Sequence, residues 1–155
     1  MDVNHINPIL ESFTNILPQL GFSEIRRLNV GVKGRYIESP GVVIIIGLIG
    51  DIKGNIIYAI STEDAKKIAS TMMMGMPVET FDELSQSAIS ELINMLTANM
   101  ATNFSKDNII IDISTPTLIE GTFTANASAD KVLCITMGVG DLIIDVNVSL
   151  EKNTF

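Results

Sequence analysis

One cysteine and one histidine occur in the 155 residues. A lone Cys134, in KVLCITMGVG, cannot form an intramolecular disulfide and lacks companions for a metal site. It reads as a small buried hydrophobe among strand formers. The lone His5 stands near a terminus, with no nucleophile spaced against it for a Ser–His or Cys–His device. Basic residues are also scarce: ten against eighteen acids, a net charge of −8 and a pI near 4.5. Arg26, Arg27, Lys33, Arg35, Lys53, Lys66 and Lys67 are scattered, whereas nucleic-acid binding needs a basic footprint. No nucleic-acid partner is expected. Long apolar runs are missing too. A membrane span needs about 18 consecutive apolar residues, and the longest candidate, residues 42–50, has the length of a buried strand. MDVNHINPIL has neither the basic start nor the apolar run of a signal peptide, so a cytoplasmic protein without membrane contact is expected. The glycine pairs in GVKG, GLIG and GVG lack the strand–loop–helix spacing of a phosphate or dinucleotide fingerprint and read as hairpin turns.

What is plentiful is apolar: 46% of residues are hydrophobic, with a mean hydropathy of +0.37. Such a chain either encloses a wide sheet or buries surface against a partner. The length suits one domain over residues 1–155. NPILESFTNIL reads as a helix with Asn7 as cap and Pro8 in its first turn, ended by Pro18 and Gly21. EIRRLNVGVKGRYIE is one extended strand or a bent pair. GVVIIIGLIG is β-branched and apolar throughout, as for a strand covered on both faces; DIKGN is a turn and NIIYAIS the return strand. STEDAKKIASTMMMG is a helix capped by Ser61 or Thr62 and stopped at Gly75. The methionine run MMMGM at its end reads as core or dimer packing, although methionines also suit adaptable partner surfaces. Thr80 with Glu83 has the spacing of a capping box for a long helix running to about Phe104. NIIIDIS, TPTLIEG, KVLCITMGV and DLIIDVNVSL are strand-like. Asp141 and Asp145 flank LII at a spacing that puts both on one strand face. A metal there is conceivable, but solvated strand acids are commoner.

The halves resemble one another. IIIGLIGDIKGNIIYAIS and LCITMGVGDLIIDVNVS both read strand, Gly-Asp turn, strand, and a helix opens each half. The expected architecture is therefore α/β (α+β): a mixed, mostly antiparallel sheet, long helices packed on it, and an internal pseudo-duplication of a helix followed by three strands.

The long helix carries the unusual feature. In SQSAISELINML, Ser87, Glu91 and Asn94 recur at i, i+4 and i+7. At about 100° per residue, Glu91 lies near +40° and Asn94 near −20° of Ser87, so one ridge spans about 60°. Leu84, Ala88, Ile89, Leu92, Ile93, Met95, Leu96 and Met100 occupy most of the remaining circumference. The ridge must face solvent or a partner, because an unpaired buried carboxylate is costly. On composition alone it is a solvated strip of an amphipathic helix.

SAISELINML also resembles the signature of the CheC/CheX/FliY family of chemotaxis phosphatases: Asp or Ser, three residues, Glu, two residues, Asn. Pro116 in ISTPTLIEG fills the position of the family's later proline, and STMMMGMPVETFDELSQ resembles the segment before the signature. The likeness covers approximately residues 7–150. Aligning ESFTNIL with ELINML sets Glu11 against Glu91 and Thr14 against Asn94. A threonine presents no carboxamide, so the first copy should be inactive. One site in a chain of this length is similar to the CheX-type branch.

The resemblance implies hydrolysis of the aspartyl phosphate on a phosphorylated CheY-type response regulator. No cofactor is then bound by this chain, because Mg2+ and the active-site lysine belong to the partner. Phosphoryl transfer demands positioning more than covalent help, and a carboxamide offers both a donor and an acceptor. Asn94 would orient the attacking water, Glu91 would pair with the regulator's lysine, and Ser87 would support docking. A homodimer joined through sheet edges is implied as well. Two other readings stay open: a binding module of the same fold without turnover, and a partner of a CheD-type deamidase.

Overall fold

A computed structural model describes residues 5–153. The order of elements is α1 (Ile6–Ile16), a 3-10 turn (Leu17–Leu20), β1 (Ile25–Lys33), β2 (Tyr36–Glu38), β3 (Gly41–Gly50), β4 (Ile52–Ser61), α2 (Thr62–Met72), α3 (Glu83–Lys106), β5 (Ile111–Ile113), β6 (Thr117–Glu120), β7 (Thr124–Asn126), β8 (Val132–Val139) and β9 (Leu142–Lys152). The apolar run of β3 and its return strand β4 form a hairpin whose register pairs Val42 with Ile60 and Leu48 with Gly54. β8 and β9 form a second hairpin, and β4 lies beside β9. The sheet order is β1-β8-β9-β4-β3-β5, with β6 also paired to β3. Every pairing is antiparallel.

The duplication has a topological form. β1 of the first half joins the second half's hairpin through β8, and β6 of the second half joins the first half's hairpin through β3. β2 and β7, one from each half, make a separate two-stranded sheet. Exchanging the halves maps this set of pairings onto itself; α2 and β5 break the symmetry. The EIRRLNVGVKGRYIE segment is thus two strands in two different sheets.

Alternation along the strands builds two cores. Val42, Ile44, Ile46, Leu48, Ile56, Tyr58, Ile60, Ile135, Ile144, Val146 and Val148 point to the helix side and pack with α1, α2 and α3. Val43, Ile57, Ala59 and Val132 point the other way, under Ile37 and Ala125 of the small sheet. β3 is covered on both faces for this reason.

Several local expectations need correction. α1 begins at Ile6 after His5, without a side-chain cap, so Asn7 lies inside the helix. α1 has 11 residues against 24 in α3, so only the second helix is long. The hairpin turn is tighter than DIKGN, because β4 already starts at Ile52. Ser61 does cap α2, accepting from the Asp64 N–H at 3.1 Å, and Gly75 at φ 88° closes the helix by donating to Ser70 O. The capping box at Thr80 does not form. Phe81 is buried, so the chain turns inward before the helix starts, and Asp82 becomes the cap, accepting from both N–H and Oγ of Ser85.

Candidate functional site

Leu92, Ile93, Leu96, Met100 and Phe104 bury one side of α3 against the sheet. One polar pair pins the helix: Tyr58 on β4 and Thr97 on α3 meet at 2.9 Å, and Thr97 Oγ1 lies 2.7 Å from Ile93 O. The Thr97 hydroxyl donates to that carbonyl, so the Tyr58 hydroxyl is the donor to Thr97. Burial pushes the Tyr58 phenol up to about 12. α1 is tied to α3 near both of its ends: Asn103 Nδ2 donates to Pro8 O at 3.0 Å, and Asn15 Nδ2 donates to Asn99 Oδ1 at 3.2 Å.

With its inner side anchored, α3 turns the ridge outward. Ser87 and Glu91 are exposed and Asn94 is half-buried. The side-chain hydrogen bonds of α3 belong to Ser85, Gln86, Thr97, Asn99, Thr102, Asn103 and Ser105. The ion pairs among the described residues are Arg35–Asp130 and Lys66–Glu63, on other elements. Glu91 and Asn94 are thus held by the helix and left without a polar partner among the described residues. Packing of Leu92, Ile93, Leu96 and Thr97 fixes their backbone.

The helix up to Ser105 and the connection before it carry charge of one sign. No Lys, Arg or His occurs between Lys67 and Lys106, whereas Glu79, Asp82, Glu83 and Glu91 do. Asp82 lies below the usual carboxylate range because the N–H and hydroxyl of Ser85 donate to it. Leu84 was assigned to the apolar circumference but is 61% exposed. Its angle, about +60° from Ser87, already sets it beside the ridge, and this is the lining residue that pattern reading missed.

The first copy matches in its packing. Ile9, Ser12, Phe13 and Leu17 are buried as Ile89, Leu92, Ile93 and Thr97 are, and Glu11 is exposed as Glu91 is. Thr14 hydrogen-bonds to Glu11 O and so is turned back on its own helix. Pro116 sits half-buried in the loop between β5 and β6.

The remaining candidates are accounted for locally. His5 packs edge-on against Phe104, ring centres 5.6 Å apart. Cys134 is half-buried and its thiol is pushed up by burial. Asp145 accepts from Thr136 Oγ1 at 2.8 Å, and Asp141 lies in the turn before β9. Among the described residues no group of three His, Cys, Asp or Glu could hold a metal ion, and no helix is long and apolar enough to cross a membrane.

A sequence model described as chemotaxis phosphatase CheX matches residues 42–138, more than half of the chain and all of α3. The chain belongs to this family. The CheY-P phosphatase CheX of Thermotoga maritima is 41% identical over 87 residues, which are 56% of this chain and 56% of that protein. The chain thus matches little more than half the length of that relative. A chemotaxis protein CheX from Desulfovibrio desulfuricans superposes with a TM-score of 0.85 at 20% identity, covering 96% of this chain and 100% of the other. The CheX of a CheX–CheY–BeF3–Mg2+ complex from Borrelia burgdorferi superposes with a TM-score of 0.73 at 22% identity, covering 97% and 100%. At these identities the structural likeness is one of fold.

Proposed function

We propose that this CheX-family chain is a phosphatase for the aspartyl phosphate of a CheY-type response regulator, with α3 as its working surface. The observation that carries the reading is the pair Glu91–Asn94: a carboxylate and a carboxamide on one ridge of a packed helix, both without a polar partner among the described residues. A solvated strip has no need of the carboxamide. The Thermotoga relative is named for CheY-P phosphatase activity, and the Borrelia CheX was solved bound to CheY with BeF3 and Mg2+.

The hydrolysis needs a water oxygen in line with the phosphorus. As the new P–O bond forms, the bond to the aspartyl oxygen breaks, and the electron pair leaves with the aspartate. Asn94 holds that water, its amide oxygen accepting one water hydrogen and so orienting the lone pair toward phosphorus. Glu91 pairs with the partner's lysine through a charge-assisted contact and sets the docking register. Ser87, one turn earlier, is small enough to let the partner approach and supports docking. This chain contributes one carboxylate and one carboxamide, a donor set too small to hold Mg2+, so the metal belongs to the partner. The compartment expected for this reaction is the cytoplasm.

The functional unit we propose is a homodimer. β1 is a nine-residue open edge with Val32 71% exposed and Leu28 47% exposed, and unpaired edges of this length invite strand addition. Light scattering that gives one chain mass at micromolar concentration refutes it.

The test of the reaction is phosphate release from a phosphorylated receiver domain, paired with binding to the beryllofluoride-loaded receiver. Asn94→Ala should lower kcat about 100-fold with affinity retained, the size usual for one positioned group. Glu91→Ala should weaken binding as well. Glu11→Ala, on the inactive copy, should leave turnover within about twofold. A wild-type rate in Asn94→Ala refutes its role. A wild type that binds without accelerating hydrolysis is a binding module.

A further inference from the structure

The connection between α2 and α3 exposes apolar surface beside the ridge. Met74 is 97% exposed, Met76 55% and Leu84 61%. Met74 has φ 59°, a left-handed backbone uncommon for a residue with a Cβ. With Gly75 it ends α2 and leaves the following methionine against the start of α3. Met73, Met76, Pro77, Val78 and Leu84 share a shallow groove of about 380 Å³ with four polar residues, the acids Glu79 and Asp82 among them. Exposed single apolar residues are ordinary, but Met74, Met76 and Leu84 are exposed together on this connection and the helix turn after it.

Position ties this groove to the ridge. Leu84 precedes Glu91 by seven residues, about 10.5 Å along the helix. A partner that buries about 800 Å² of one surface covers a disc of radius about 16 Å. A partner surface of that size centred on Glu91 reaches Leu84. The groove itself is acidic: Glu79 and Asp82 line it, Glu83 follows in sequence, and this stretch of chain has no basic residue between Lys67 and Lys106.

We propose that this methionine-rich groove is a second anchor of the receiver docking surface, taking an apolar side chain of the partner that is flanked by lysine or arginine. The proposal rests on the phosphatase reading and assigns the groove the task of affinity and partner choice, apart from the chemistry at Asn94. Unbranched methionines adapt to such a side chain without a prebuilt pocket.

Leu84→Ser, Met76→Ser and the double variant test it, read as kcat and KM for phosphate release from the phosphorylated receiver. Both positions are exposed, so melting should shift by only a few degrees. The double variant should raise KM about tenfold, the loss expected for uncovering one apolar contact, with kcat within about twofold. Glu83→Lys should raise KM by removing the matching charge. A folded double variant whose KM stays within about twofold of wild type overturns the proposal. So does one that turns a dimer into a monomer with KM unchanged, which makes the groove a contact between copies. If wild type does not hydrolyse, the phosphatase reading fails by itself. The groove is then read from the Kd for the beryllofluoride-loaded receiver, which must weaken about tenfold in the double variant. A wild type that does not bind that receiver overturns both.

Discussion

The buried Tyr58–Thr97 pair sets the seat of α3, and removing its two hydroxyls one at a time should give unequal results. The Thr97 proton goes to Ile93 O, so Tyr58 donates to Thr97 Oγ1. Tyr58 is 1% exposed and Thr97 0%. Tyr58→Phe deletes the donor and leaves Thr97 still bonded to Ile93 O. Its cost should be that of one net hydrogen bond, about 1 kcal/mol. Thr97→Val keeps the shape but strands a phenolic O–H in the core, and an unsatisfied buried donor costs about 2 kcal/mol. The double variant removes both polar groups and should return to about 1 kcal/mol, so the cycle closes with a coupling of about 2 kcal/mol. For a chain of this size the Thr97→Val loss corresponds to a Tm drop of about 6 °C. The assay is urea unfolding at constant m, with thermal unfolding by circular dichroism as a second probe. A second signature is pH. Burial pushes the native phenol up to about 12, against 10.0 for an ordinary tyrosine. Above pH 10 the unfolded phenol therefore ionises first, and wild type loses stability that Tyr58→Phe does not lose. The reasoning fails if Thr97→Val costs less than Tyr58→Phe, or if the two losses add.

Two further perturbations act on the frame that presents the site. Asp82 is held below its ordinary 3.8 by the Ser85 N–H and hydroxyl, so its capping contribution is complete above that pH and is lost as pH falls through the lower native value; Asp82→Ala should lower Tm at pH 7, and the gap to wild type should narrow in thermal melts taken below pH 3.8. Gly54 has φ +147°, and a Cβ there would lie 1.8 Å from Ser149 O on the central β4–β9 ladder; Gly54→Ala should cost more than about 3 kcal/mol, visible as a lower urea midpoint, and a shift under about 1 kcal/mol contradicts the close approach.

The angular arrangement of Ser87, Glu91 and Asn94 was legible without any structure, because a helix repeats locally and places i, i+4 and i+7 together whatever surrounds it. The β3–β4 hairpin and the stop at Gly75 were legible for the same reason: turn chemistry and alternation act between near neighbours. The equivalence of Glu11 and Glu91 came from aligning ESFTNIL with ELINML and is matched by the burial of both helices. Contacts distant in sequence were not legible. β-strand hydrogen bonds carry no side-chain address, so nothing in EIRRLNVGVK marks β1 as the partner of β8, or TLIE as the partner of β3. The separate β2–β7 sheet, which buries Val43 and Ile57 from the far side, was hidden likewise. The start of α3 was decided by the burial of Phe81, which moved the cap from Thr80 to Asp82. Tertiary packing also decided which side of α3 faces out. The sheet takes the side bearing Ile93, Leu96 and Met100, because that side buries the most apolar surface, and Leu84 is left outside because it stands on the ridge side of the helix.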